Sequence, residues 1–170
     1  MAYHPRFAVD NIGEEHPNAV EMALRSMGHL LTALVAIDVD FLRAFPRTPL
    51  LYQSGVVYDR MQDEVDACGD DAWADIPHVL AATRGDCEDL ACWRVAELRV
   101  RFGVAATVAV LFQPGGDGVT RPRHLYHILV RWPEGLAGYP AGVYRKTLAD
   151  GTTMLLECPS TALGMPAAAA

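Results

Sequence analysis

The sequence predicts an α+β domain in which a helix that carries a cysteine packs on an antiparallel sheet, after a long N-terminal helix. Apolar residues recur at helical spacing from Pro17 to about Phe45, and helical spacing returns over 86–102. Three later segments are rich in the β-branched, aromatic and alternating residues that are typical of strands. Helices followed by a run of strands are typical of the α+β class.

The first predicted helix begins near Pro17, because proline suits the first turn of a helix, and it ends before Pro46. Residues 1–16 are expected to form an irregular lead-in. The apolar residues of the helix share one face, which we expect to pack on the core: Leu24, Met27, Leu31, Leu34, Val35 and Leu42.

The remaining elements are predicted from periodicity and turn residues. Residues 50–79 are mixed, with an extended stretch over 51–58 and turn chemistry in the acidic sequence CGDDAWADIP. The helix over 86–102 is expected to bury one apolar face against the strands. A short further element is expected around Tyr144. The three predicted strands are Val104–Phe112, Leu125–Trp132 and Thr152–Glu157.

Composition excludes several classes of function. The 170 residues include 14 basic and 21 acidic side chains, a net charge of −7, and a single lysine. A nucleic-acid backbone is bound by clustered positive charge, so no nucleic-acid partner is expected. The most apolar stretch, Leu30–Ile37, is much shorter than the about 20 residues of a membrane span. The N-terminus lacks the pattern of a secretory signal, so we expect a cytoplasmic location and no membrane partner.

Four cysteines are too few for a disulfide scaffold at this length, and none of them forms a CxxC pair. No histidine cluster completes a zinc site, so no metal and no cofactor are expected. No composition break divides the chain. We therefore expect a single domain over 1–166, with 167–170 as a frayed alanine tail.

The sequence RGDCEDLACWRVAELR places Cys87 in the first turn of the second helix. Asp86 is expected to cap this helix, with Asp89 as the second member of a capping-box-like pair. A first-turn thiol feels the positive end of the helix dipole, which favours the thiolate, whereas nearby carboxylates such as Glu88 favour the thiol. Gly85 allows a sharp turn and leaves room for a substrate. Cys87 is a candidate nucleophile, and a buried structural cysteine is the alternative.

A nucleophilic cysteine needs a base, and His127 in HLYHILVRW is the candidate. Strand alternation places His127 on the face opposite to Ile128 and Val130. His124, at the edge of the same strand, is the main alternative. The backbone N–H of Cys87 is one natural donor to an oxyanion. The side chains available near the helix as a second donor are Tyr52, Gln53, Tyr58 and Trp73.

Three segments together resemble the transglutaminase-like branch of the papain-like cysteine enzymes. They are GDCEDLA at 85–91, YHILV at 126–130 and ECPSTALGM at 157–165. The resemblance extends from Tyr52 to Met165 and is closest to small phage-encoded members. It implies a papain/transglutaminase-like core, with Cys87 as the nucleophile and His127 as the base.

The third member of the implied triad departs from the family pattern. The family commonly has an aspartate directly before Pro-Ser or Pro-Thr, and this sequence has Cys158 there. Glu157 is the nearest carboxylate, but neighbouring strand residues point to opposite faces. The alternatives are that a shift or bulge presents Glu157 to His127, that another acceptor such as Asp150 orients it, or that the site is a dyad.

These observations predict a cysteine-dependent acyl-transfer enzyme that forms a thioester acyl-enzyme. Hydrolysis of a protein or peptide amide, as by a peptidase, isopeptidase or amidase, is expected first. Amide transfer of the transglutaminase type is the alternative, and it needs a second amine site that the sequence does not display. A further alternative is a catalytically inactive phage virion or assembly component that retains the fold, with phage structural proteins as partners.

Overall fold

Four α-helices, one short 3-10 turn and six strands make up the part of the chain that the structure describes. This computed structural model describes residues 19–59, 73–114, 124–133, 143–147, 151 and 153–164. The predicted lead-in at 1–16 and the tail at 167–170 lie outside these ranges. Within them, no helix combines the length and the apolarity needed to cross a bilayer. The α+β class is confirmed, because a helix packs on an antiparallel sheet.

The first helix, α1, spans Ala19–Ala44 and confirms the predicted helix. It ends just before Pro46, whose ring is incompatible with a continuing helix. Its buried apolar residues recur at the predicted spacing and form one face: Met27, Leu31, Leu34, Val35 and Leu42. Through this face α1 packs on the cysteine-bearing helix.

The cysteine-bearing helix, α3, lies at the centre of the fold. It spans Cys87–Phe102 and ends at Gly103, whose φ of 66° lies in the left-handed region that glycine favours. Every residue from Cys87 to Leu98 is buried, whereas the sequence predicted one buried face. The reason is that α1, the sheet and the segment before α3 all pack against it. The first turn of α3 is therefore enclosed by protein.

The sheet has the strand order β3-β4-β6-β5, and every neighbouring pair is antiparallel. Its strands span Thr107–Pro114 (β3), His124–Pro133 (β4), Val143–Thr147 (β5) and Thr153–Glu157 (β6). The three predicted strands are present, and the element expected around Tyr144 is a full strand. The register pairs Val130 with Glu157. The end of β6 thus lies next to the part of β4 that carries His127.

The segment before α3 holds structure that the sequence analysis missed. Leu51–Gln53 form a 3-10 turn, and only Val57–Tyr58 are extended, as β1. A helix, α2, spans Ile76–Ala82 and is capped by Asp75, whose side chain accepts from the N–H of His78 at 3.2 Å. The strand β2, Arg84–Gly85, pairs in parallel with β1 and leads directly into α3. This arrangement fixes the chain on the N-terminal side of Cys87.

A buried carboxyl group, Asp38 on α1, ties α1 to the start of α2. Its Oδ1 accepts from the N–H of Ile76 at 3.0 Å, while Oδ2 has no hydrogen-bond partner among the described residues. Burial raises the pKa of Asp38 to about 8, against the opposing effect of the Ile76 hydrogen bond and with a smaller contribution from Asp75. The folded protein therefore favours the protonated carboxyl group.

This raised pKa makes stability depend on pH. The protonated form stabilises the fold fully below pH about 4, and that stabilisation is lost as the pH rises through about 8. We expect Asp38→Asn to gain about 1–3 kcal/mol of unfolding free energy at pH 8 and little at pH 5. Urea unfolding at both pH values measures the difference. An equal effect of Asp38→Asn at the two pH values would contradict the assignment.

Candidate active site

Cys87 begins α3, and its thiol is enclosed rather than open to solvent, since the residue is 7% exposed. Its Sγ donates to Oε2 of Glu88 at 3.1 Å and lies near the backbone N–H of Ile128 on β4. Burial is the largest influence on the Cys87 thiol and raises its pKa, and the carboxylate of Glu88 raises it further. Burial and the carboxylate of Glu88 thus oppose the effect of the helix dipole on Cys87 and favour the neutral thiol.

The turn before Cys87 differs in detail from the prediction. Asp86 occupies the N-cap position, as expected, but its side chain makes no capping hydrogen bond. Asp89 instead accepts from the N–H of Ala74 at 2.7 Å, which ties the segment before α2 to the first turn of α3. A Cβ on Gly85 would lie 3.2 Å from the Cβ of Asp89 and 3.3 Å from Leu90. Gly85 is thus needed for the close approach of β2 to α3.

His127 lies on β4, in the predicted strand, and is half-buried. Its Nε2 lies 3.1 Å from the sulfur of Cys158 and 3.5 Å from the hydroxyl oxygen of Ser160. The other ring nitrogen, Nδ1, makes no hydrogen bond to any residue that the structure describes. No hydrogen bond joins His127 to Cys87, whose thiol lies against the main chain of the next residue, Ile128. One strand therefore brings His127 and Cys87 into the same region.

Cys158 follows β6 directly and precedes the short helix α4, Pro159–Gly164. Its sulfur has three side-chain partners: Nε2 of His127 at 3.1 Å, Oγ of Ser160 at 3.0 Å and Oγ1 of Thr161 at 3.2 Å. Burial acts to raise the pKa of Cys158, but the hydrogen bonds from His127, Ser160 and Thr161 outweigh it and lower the pKa to about 6. The surroundings of Cys158 therefore favour its thiolate, whereas those of Cys87 favour its thiol.

Glu157, the nearest carboxylate in the sequence, does not reach His127. Its Oε1 accepts from Nε of Arg94 at 2.8 Å and from the hydroxyl of Tyr52, while Oε2 has no hydrogen-bond partner among the described residues. Arg94 also pairs with Glu97, which accepts from the N–H of Leu51 at 2.9 Å. Strand alternation explains the result, because consecutive residues at the end of β6 point to opposite sides.

The other residues predicted for the site lie partly inside and partly outside the ranges that the structure describes. Asp150 and the side chain of His124 lie outside the described residues. Tyr52 donates to Glu157 and Trp73 is buried in the cluster that contains Cys87. Ser160 and Thr161 were missed as site residues. The sequence CPST could have indicated them. The hydroxyl groups two and three positions after the residue that precedes a helix lie within reach of that residue's side chain.

No group of three or more potential metal ligands is found in the ranges that the structure describes. The chain matches no protein-family model, and no curated protein or solved structure is significantly similar to it. The arrangement of Cys87, His127 and Cys158 is therefore interpreted from its own geometry and chemistry.

Proposed function

We propose that the protein is a cysteine-dependent acyl-transfer enzyme with a papain/transglutaminase-like core, acting on protein or peptide amides as a peptidase, isopeptidase or amidase. The contact between Nε2 of His127 and the sulfur of Cys158 is the observation that carries the proposal. It fixes an imidazole by one nitrogen and leaves Nδ1 to act as a base. Cys87, at the start of α3 and against the neighbouring residue of β4, is the nucleophile.

The reaction begins from a neutral Cys87 thiol. Nδ1 of His127 takes the thiol proton as Sγ attacks the carbonyl carbon of the amide, and the carbonyl oxygen becomes an oxyanion. The backbone N–H of Cys87, a first-turn amide, is the donor that we assign to that oxyanion. The imidazolium then gives the proton to the leaving amine, and the C–N bond breaks to leave a thioester. Water, deprotonated by His127, hydrolyses the thioester and restores the thiol.

A second function is favoured by one specific observation. The Cys87 thiol is buried, donates to Glu88 and has a raised pKa, which is what a cysteine without a catalytic function also shows. A phage virion or assembly component that keeps this fold without activity would have these properties. Covalent labelling of Cys87 separates the two functions. A neutral thiol reacts slowly, so fast labelling of Cys87 requires that His127 takes its proton, as it would in the enzyme.

We expect His127→Ala to slow the labelling of Cys87 by a peptidyl vinyl sulfone by about 10²–10⁴-fold, because the general base is lost. Mass spectrometry of the labelled peptide follows the rate. His29→Ala is the matched control, since His29 lies exposed on α1 and is expected to leave the rate unchanged. Equal rates in wild type and His127→Ala would overturn the proposed function, and so would wild-type Cys87 that stays unlabelled.

A further inference from the structure

We propose that Cys158, as a thiolate, is the anion that orients His127, so that a sulfur occupies the position in which such sites commonly hold a carboxylate. The inference rests on the proposed function, because it assigns the third member of the same site. Cys158 does not touch the reacting atoms in this scheme. It is a positioning residue that acts through His127.

The contacts of the sulfur suit an anion, because Thr161 donates to it and both Nε2 of His127 and the hydroxyl of Ser160 are able to donate. His127, Ser160 and Thr161 each place a hydrogen-bonding atom within 3.2 Å of Sγ, and they approach it from two different elements, β4 and α4. Cys158 is only 6% exposed, so these groups take the place of water around it. A buried anion is tolerated when several donors converge on it, and a carboxylate in this environment would be stabilised in the same way.

The charges around Cys158 support the same assignment. The groups that lower its pKa to about 6, against the effect of burial, are His127 from β4 and the hydroxyl groups of Ser160 and Thr161 from α4. Its neighbour Glu157 pairs with Arg94 of α3. Strand β1, which carries Tyr58, also packs against α4. These groups favour the thiolate form of Cys158, whose sulfur faces Nε2 of His127.

A thiolate in this position has two consequences for His127. It accepts a hydrogen bond from Nε2–H of His127, which fixes the tautomer in which Nδ1 carries the lone pair that a general base needs. It also stabilises the imidazolium that forms when Nδ1 takes the proton of Cys87. A neutral thiol or a serine hydroxyl in the same place would do neither as well, because it carries no charge.

The first test measures the thiolate without any substrate. The ultraviolet thiolate absorbance of the wild type is expected to titrate near pH 6, to persist in Cys87→Ala and to be lost in Cys158→Ser. Glu157→Gln is the matched control on the adjacent residue and is expected to keep the titration. Cys68 and Cys92 are present in all variants, so their contribution to the absorbance cancels in the comparison. A titration that disappears in Cys87→Ala and persists in Cys158→Ser would overturn the assignment.

The second test measures the effect on Cys87. Labelling of Cys87 by the peptidyl vinyl sulfone is expected to fall below pH about 6 in the wild type and to slow by about 10²-fold in Cys158→Ser. Cys158→Asp is expected to restore the rate, because its carboxylate supplies the negative charge that serine lacks. A merely structural Cys158 would not give this recovery in Cys158→Asp. An unchanged rate and profile in Cys158→Ser, or a label on Cys158 itself, would overturn the inference.

The two proposals fail in different ways. If the thiolate titrates as expected but Cys87 is not labelled in the wild type, the proposed enzyme is overturned, whereas the pairing of Cys158 with His127 is supported. If Cys87 is labelled with dependence on His127 but not on Cys158, the enzyme is supported and the thiolate as orienting group is overturned.

Discussion

Cys87→Ala is expected to lower the hydrolysis of fluorogenic peptide amides by at least about 10³-fold, because the thioester can no longer form. The comparison uses initial rates near neutral pH. Cys92→Ala is the matched control, since Cys92 is a second thiol on α3 that lies in the core and contacts the carbonyl of Leu31 at 3.7 Å. It is expected to reduce stability by about 1 kcal/mol and to keep the rate. Turnover that survives in Cys87→Ala would exclude Cys87 as the nucleophile.

The largest expected effect on stability follows from replacing Arg94, whose guanidinium lies between two buried carboxylates. Glu157 and Glu97 are each 1% exposed or less, and both pair with Arg94. Arg94→Met leaves these carboxylates without their cation, which is expected to cost about 3–5 kcal/mol of unfolding free energy.

Chemical denaturation of Arg94→Met and of a matched variant measures this cost. Arg25→Met makes the same change in an exposed pair with Glu21 on α1, where both side chains are more than half exposed. Its expected effect is below about 0.5 kcal/mol. Similar losses in the two variants would contradict the importance of the Arg94 cluster.

This cluster also bears on the geometry of the site. Arg94 belongs to α3, which begins with Cys87, and Glu157 ends β6, directly before Cys158. The ion pair at 2.8 Å therefore connects the helix that begins with Cys87 to the strand that ends directly before Cys158. Tyr52 joins the same carboxylate from the 3-10 turn. We interpret Glu157 as a residue that fixes the distance between α3 and β6, with no direct contact to His127.

Much of the architecture followed from periodicity. The apolar spacing of α1 and the strand character around His127 were sufficient, because both patterns reflect which face is buried. The helix α2 was missed for a local reason. The sequence CGDDAWADIP has turn residues, yet two of its members, Asp75 and Pro77, are also helix-start signals, and the cap outweighed the turn preference.

The site was predictable in part. Helix position and strand alternation placed Cys87 and His127 in one region, whereas the charge state of each thiol depended on contacts that come from distant parts of the chain. Cys87 is next to Glu88 and is buried by packing, so its pKa is raised despite the helix dipole. Cys158 gains His127 from a strand 31 residues away, and that contact lowers its pKa. Periodicity carries no information on such contacts.

The central claim is that Cys87 is acylated while the thiolate of Cys158 holds His127. The most direct measurement is to quench the wild-type protein during reaction with a fluorogenic peptide ester and to locate the thioester by tandem mass spectrometry. The account predicts the acyl group on Cys87, with Cys158 unmodified, and no thioester in His127→Ala. An acyl group on Cys158 would contradict it.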